Sequence, residues 1–243
     1  MFLQKNNMKK IILFLSILLL SQNAVAQLFS KEKIRNLENF DKKTLTWGYF
    51  LGFNSRDFKF DYNQLDFNGT QDDIKVSSST GFNVGLIGDL RISEHLNLRL
   101  EPGISFSTRM LTFPGFTEEV DFLREVKSTY IHIPLLLKMS TKRINNFKPF
   151  IVAGLSTSIN MSSNEKNPED NSNGQFRMTK STYYYELGFG IDLYLYYFKF
   201  TPSIRGIFAA SDELVRDEDP NSPWTSNINS MKTRGIFINF TFQ

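Results

Sequence analysis

The side chains best equipped for chemistry are Asp89, Arg91, Arg99, Glu101, Arg109, Lys138, Glu186, Asp192, Lys199 and Arg205, with His132 the one imidazole among them. Each sits in a segment where apolar and non-apolar residues alternate, and each falls on the non-apolar side. Carboxylates and cations gathered on one face could line a proton or solute path, or could neutralise one another. An isolated buried charge is costly, so a face of this kind is expected to pair into hydrogen-bonded networks. A structural charge network is therefore the reading adopted here.

Other chemistry finds little support. The chain has no cysteine and only two histidines, His95 and His132, so no metal-ligand spacing occurs. His132 with Glu186 or a serine is a conceivable nucleophilic pairing, but no spacing supports it. Phosphate loops, G-x-S-x-G and H-E-x-x-H are absent from the sequence. The expectation is a protein without catalysis, cofactor, small-molecule substrate or nucleic-acid partner.

The elements that must position these charges repeat with a period of two. Trp47, Tyr49, Leu51 and Phe53 alternate with Thr46, Gly48, Gly52 and Asn54; Phe82, Val84, Leu86 and Leu90 alternate with Asn83, Gly85, Asp89 and Arg91. The pattern recurs over 96–106, 129–138, 149–160, 182–193, 197–208 and 233–242. That makes about eight strands, the smallest transmembrane barrel size. Short connections (93–95, 139–147, 195–196) alternate with long polar ones (56–80, 110–127, 161–181, 210–231). An up-and-down barrel in an outer membrane has this rhythm, with short turns periplasmic and long loops outside.

Which face is inside separates a soluble barrel from a membrane one. Gly48, Gly52, Gly85, Gly103, Gly154, Gly188 and Gly190 share the polar face, which suits a cramped lumen, while large aromatics suit a lipid surface. Trp47, Tyr183, Tyr194, Tyr196 and Tyr197 near strand ends are expected to form an interfacial girdle. The fold expected is an all-β, eight-stranded antiparallel up-and-down transmembrane β-barrel over 44–243.

Two further segments complete the division. Lys9 and Lys10, the apolar run 11–20 and Ala24-Val-Ala26 form a secretory signal peptide over 1–26, its run too short for a spanning helix of roughly 20 residues. Residues 27–43 are read as a periplasmic segment, either loose or a short helix with Ile34, Leu37 and Phe40 on one side. The net charge of +3 belongs to the leader, because Lys5, Lys9 and Lys10 precede Gln27 and no acidic residue does. The end of the chain, Thr233-x-Gly235-x-x-Ile238-x-Phe240, fits the pattern read by the barrel-insertion machinery, except that Gln243 follows the final Phe242.

Three stretches resemble one family. They are 36–54, which carries N-F-D-K-K before the first strand; 81–107; and Ile133-Pro-Leu-Leu-Leu-Lys138 running into Lys148-Pro-Phe-Ile-Val-Ala-Gly154. The last pair is similar to the small outer-membrane barrel superfamily, and the leading element resembles its PorT/SprT family. That resemblance implies a barrel in the cell outer membrane, required for type IX protein secretion and in some bacteria supporting gliding, with other secretion components as partners. No catalytic residue is implied. The alternatives are a surface adhesion or defence barrel acting through its loops, and a lipid-modifying enzyme dependent on His132.

Overall fold

A computed structural model describes residues 35–63, 74–113, 116, 118, 122–166, 176–219, 221–222 and 224–243. The expected signal peptide and the segment up to residue 34 lie outside the described residues. Among the described residues no helix is long and apolar enough to cross a membrane.

One antiparallel sheet organises the chain from Asn36 onward. Its strands are β1 (Leu45–Tyr62), β2 (Lys75–Ser78), β3 (Gly81–Arg91), β4 (Leu96–Leu100), β5 (Gly103–Thr112), β6 (Leu123–Ser140), β7 (Phe147–Asn160), β8 (Ser181–Tyr194), β9 (Lys199–Ala209) and β10 (Ile228–Phe242). β1 pairs with β10 on one side and β3 on the other, so the sheet returns on itself and the last strand has no free edge. The register sets Leu51 opposite Phe240 and Phe53 opposite Ile238. A closed ring satisfies every backbone group without water, as a lipid environment demands.

Ten strands among the described residues replace the eight expected. The expected strand 96–106 is divided at Glu101-Pro102, where proline offers no N–H to the ladder. The expected loop 56–80 contains β2, which pairs with the top of β5. Three strands also run beyond their expected ends: β1 reaches Tyr62, β6 starts at Leu123 and β10 at Ile228.

The reason is an inversion of polarity along the strands. Below Asn54, β1 turns Tyr49, Leu51 and Phe53 outward; above it, Ser55, Asp57, Lys59 and Asp61 face out while Phe58 is buried inside. β6 and β10 do the same, with Glu125 and Lys127, and Lys232 and Arg234, outside. The buried counterparts Phe58, Leu111, Val126, Ile228 and Met231 join Phe113, Phe176, Met178 and Leu214 in a hydrophobic core. The strands thus leave the membrane and continue as a water-facing rim with an apolar interior.

Below the rim the apolar side faces out. Leu86, Leu155, Leu187 and Phe189 are 65%, 70%, 62% and 60% exposed, in a belt that only lipid would cover without penalty. Trp47, Tyr183, Tyr196 and Tyr197 are exposed at its margins, as expected of a girdle. Tyr194 is not among them: its even position on β8 points it inward, and it is buried. Inside, the ring of Phe50 rests against Gly85 and Gly103, where an added Cβ would lie 2.6 and 2.8 Å from it. No larger residue would leave room for it.

Candidate functional site

The lumen charges assemble from six strands and the Glu101 break. Arg99 on β4 donates to Asp89 on β3 through Nε and Nη2, at 3.1 and 2.7 Å, and reaches Glu101 at 3.5 Å. Arg205 on β9 bonds Glu101 at 2.6 Å and lies 2.7 Å from Glu186 on β8. Glu186 also meets His132 Nε2 on β6 at 2.8 Å, and His132 Nδ1 meets Ser158 Oγ on β7 at 2.6 Å. Nearby, Lys138 pairs with Asp192 at 2.5 Å, and Thr201 donates to the same carboxylate at 2.8 Å. All these charged groups are buried. Charge alternates along the row, so each group faces an opposite partner, the arrangement a low-dielectric interior requires.

Two expected members stand apart, Arg91 and Arg109, and a third, Lys199, joins the network only through its charge on Asp89 and Asp192. Lys199 is buried, with its ammonium 4.7 Å from the ring centre of Phe40. Arg91 is no part of the network; it sits at the mouth beside the short connections, half-buried, 3.5 Å from the Lys42 carbonyl. Arg109 belongs to a second cluster nearer the outer rim. It donates to Tyr130 Oη at 2.5 Å and Thr233 Oγ1 at 3.3 Å, and its guanidinium lies 3.9 Å from the Phe58 ring centre.

That second cluster contains two residues from stretches expected as loops, Arg56 and Glu213. Arg56 is fully buried, donates to Ser105 at 2.9 Å and lies 4.2 Å from the ring centre of Tyr130. Glu213 accepts from the Thr233 backbone N–H at 3.0 Å and its hydroxyl at 2.9 Å. Burial pushes the Glu213 carboxyl above its ordinary value, against the opposing pull of Arg109 and the Thr233 bonds. The signal for Arg56 was available, because the period of two continues through Phe58, Phe60 and Tyr62 with its sense reversed. Glu213 has no comparable signal, lying between β9 and β10 in an irregular stretch.

Both ends of the lumen are occupied. At the end of the lumen beside the short connections, Phe40–Lys42 form a single 3-10 turn; the short helix expected on Ile34, Leu37 and Phe40 falls partly outside the described residues. Phe40 meets Tyr194 edge to face at 6.4 Å, and Tyr194 Oη donates to Asp41 at 2.5 Å. Arg143 stacks 3.6 Å over Tyr194 and donates to the carbonyls of Asn36 and Leu37. The outer end is filled by the apolar core of the rim. Between them, a cavity lined by Asn83, Ser105, His132, Arg205, Phe50 and Phe237 measures about 10 Å³, room for about one water.

Ser158, His132 and Glu186 have the spacing of a nucleophile, a base and its orienting acid. Ser158 is 1% exposed, and the small cavity beside His132 cannot admit a carbonyl substrate. Among the described residues no group of three or more His, Asp or Glu is placed to hold a metal.

An apolar belt outside, a polar lumen and a ring of antiparallel strands define an outer-membrane β-barrel. The chain belongs to the family of outer membrane protein beta-barrel domains, which it matches over residues 25–214. No curated protein matches it. Among solved structures it is similar to the outer membrane protein OprG from Pseudomonas aeruginosa, at 15% identity and a TM-score of 0.40 over 82% of this chain and 93% of that one. It is also similar to Neisserial surface protein A (10%, TM-score 0.43, over 82% and 97%). A third is the attachment invasion locus protein Ail of Yersinia pestis, crystallised with the heparin analogue sucrose octasulfate (11%, TM-score 0.38, over 81% and 96%). Likenesses this distant carry no functional argument.

Proposed function

We propose that this protein is a non-conducting barrel that serves type IX protein secretion as an accessory of assembly or maturation. It does so through its loops, its outer wall or the periplasmic segment before β1. The observation that carries the reading is the occupied lumen: a paired charge network at mid-depth, an apolar core above and a docked turn below. Cargo has no path through such a barrel, so any part in transport is played at its surfaces. We read the ten strands as eight staves; support comes from the common register of β4 and β5 against β6 (Leu100 opposite Leu135, Gly103 opposite His132) and from β2 and β3 both pairing with β5. Eight staves enclose only enough room for side chains.

The secretion role itself rests on the resemblance of 36–54 and 133–154 to the PorT/SprT family. Support comes from the segment before β1, whose Asn36, Leu37, Phe40 and Asp41 are gripped at the periplasmic mouth by Arg143 and Tyr194. Deletion of the gene tests it. The expected result is loss from the medium of proteins bearing the C-terminal secretion signal, restored by the intact gene. Normal secretion with lost attachment would favour a surface adhesion barrel, a reading to which the water-facing rim lends some weight. We propose no catalytic role for Ser158, His132 and Glu186.

A further inference from the structure

Above the lipid belt, the seam between β1 and β10 carries an unusual pairing. Lys59 and Lys232 are directly opposite in the register, both on the outer face and both exposed. Like charges so placed have Cβ atoms about 4.5–5.5 Å apart and repel. Neither lysine makes an ion pair or side-chain hydrogen bond among the described residues. The next outward pair toward the membrane is Asp57 and Arg234, where Arg234 donates to one carboxylate oxygen through Nε and Nη2 at 3.0 and 2.7 Å. Three cations therefore share this stretch of the outer face with two carboxylates, Asp57 and, beyond Lys59, Asp61, which accepts from Asn229 at 2.9 Å; among the described residues Arg234 Nη1 has no protein acceptor.

The height of this patch indicates what fills it. Arg234 is two residues above Ile236, the last outward apolar residue of β10, and Lys232 two further up. At about 3.4 Å per residue on strands tilted by about 40°, they stand roughly 5 and 10 Å above the apolar belt. Long lysine stems can bring their ammonium groups back toward the lipid. That layer is where the phosphates of a bilayer lie, some 5–8 Å thick on each side of the hydrocarbon. Ile236, Ile238 and Phe53 below offer an apolar surface to acyl chains, and Phe208, opposite Arg234, stacks with Tyr185 at 5.2 Å.

We infer that Lys59, Lys232 and Arg234 form a binding site for the phosphorylated headgroup of an outer-leaflet lipid. The phosphate sits between the two lysines and relieves their repulsion, while Asp57 holds the guanidinium in place. This site is independent of the secretion reading and would serve any barrel that must be fixed in depth and rotation against its lipid.

The test is native mass spectrometry of the folded protein in a non-ionic detergent, titrated with diphosphoryl lipid A, its dephosphorylated form, and sodium phosphate. Wild type is expected to hold diphosphoryl lipid A, and Lys59→Gln/Lys232→Gln to bind it roughly 30-fold more weakly. Lys59→Glu, which creates a cross-strand ion pair with Lys232, should keep the folded gel mobility and lose the lipid. Lys127→Gln, at a residue already paired with Glu125 at 2.9 Å, should bind as wild type. Equal binding by the double variant, or equal loss in Lys127→Gln, overturns the site. So does equal binding of the dephosphorylated lipid. Displacement of the lipid by millimolar sodium phosphate would show a free-phosphate site instead and would also overturn it.

Discussion

Removing the carboxylate of Glu101 is the sharpest perturbation of the lumen. Glu101 is buried between two guanidiniums, accepting from Arg205 at 2.6 Å and Arg99 at 3.5 Å. Arg99 would keep Asp89 and Arg205 would keep Glu186, each at 2.7 Å, so neither cation is orphaned outright. The balance is nevertheless lost, since Asp89, Glu101, Glu186 and Asp192 match Arg99, Lys138, Lys199 and Arg205 one for one. Breaking a buried pair from one side costs about 3–5 kcal/mol. Glu101→Gln retains one acceptor and should cost about 3 kcal/mol, and Glu101→Ala about 5 kcal/mol. Urea unfolding in vesicles, followed by tryptophan fluorescence and folded-band gel mobility, measures both. Because the groups are shielded from solvent, 1 M salt should change the difference little. A loss within about 0.5 kcal/mol of zero, the range of an ordinary surface change, would mean the lumen is wet and the network marginal.

Other outcomes follow from the same geometry. Ile238→Arg, in the middle of the outward apolar run of β10, should cost about 2–4 kcal/mol of stability in vesicles, although arginine is native four positions earlier on the same face. An unchanged midpoint would reverse the assigned faces. Glu213 has a carboxyl raised by burial, so the folded state holds its proton more tightly than the unfolded chain does. Its contribution to stability is therefore complete below the unfolded value near 4.5 and is lost as pH rises through the elevated folded value. Wild type should gain on Glu213→Gln as pH falls from 8 to 5, and parallel curves would refute this. A fluorophosphonate probe should leave Ser158 unlabelled in the folded barrel, with labelling lost in Ser158→Ala as the contrary sign.

Much of the barrel was legible because the lipid-facing strands obey one rule. The sense of the alternation in 47–53, 82–92 and 129–138 is the sense observed, and β10 does close on β1. Where the solvent changes, the rule inverts, so Arg56, Phe58 and Val126 fall in stretches expected as long polar loops although they belong to strands. The same inversion locates one edge of the membrane. Tyr194 shows a different failure: residue type favoured the girdle, but parity with Asp192 sent it into the lumen. Pairings such as Arg205 with Glu101, and the grip of Arg143 on the segment before β1, depend on which staves face one another across the lumen. Period-two patterns contain nothing about that.

The claim that the lumen is filled and carries no traffic is tested most directly by conductance. Purified protein, refolded and inserted into a planar bilayer, should give no steady open level under applied voltage, and Glu101→Gln should give none either unless it unfolds. Reproducible ohmic steps in wild type, with an ion selectivity that shifts in Glu101→Gln, would place an aqueous path through the charge network and contradict the account.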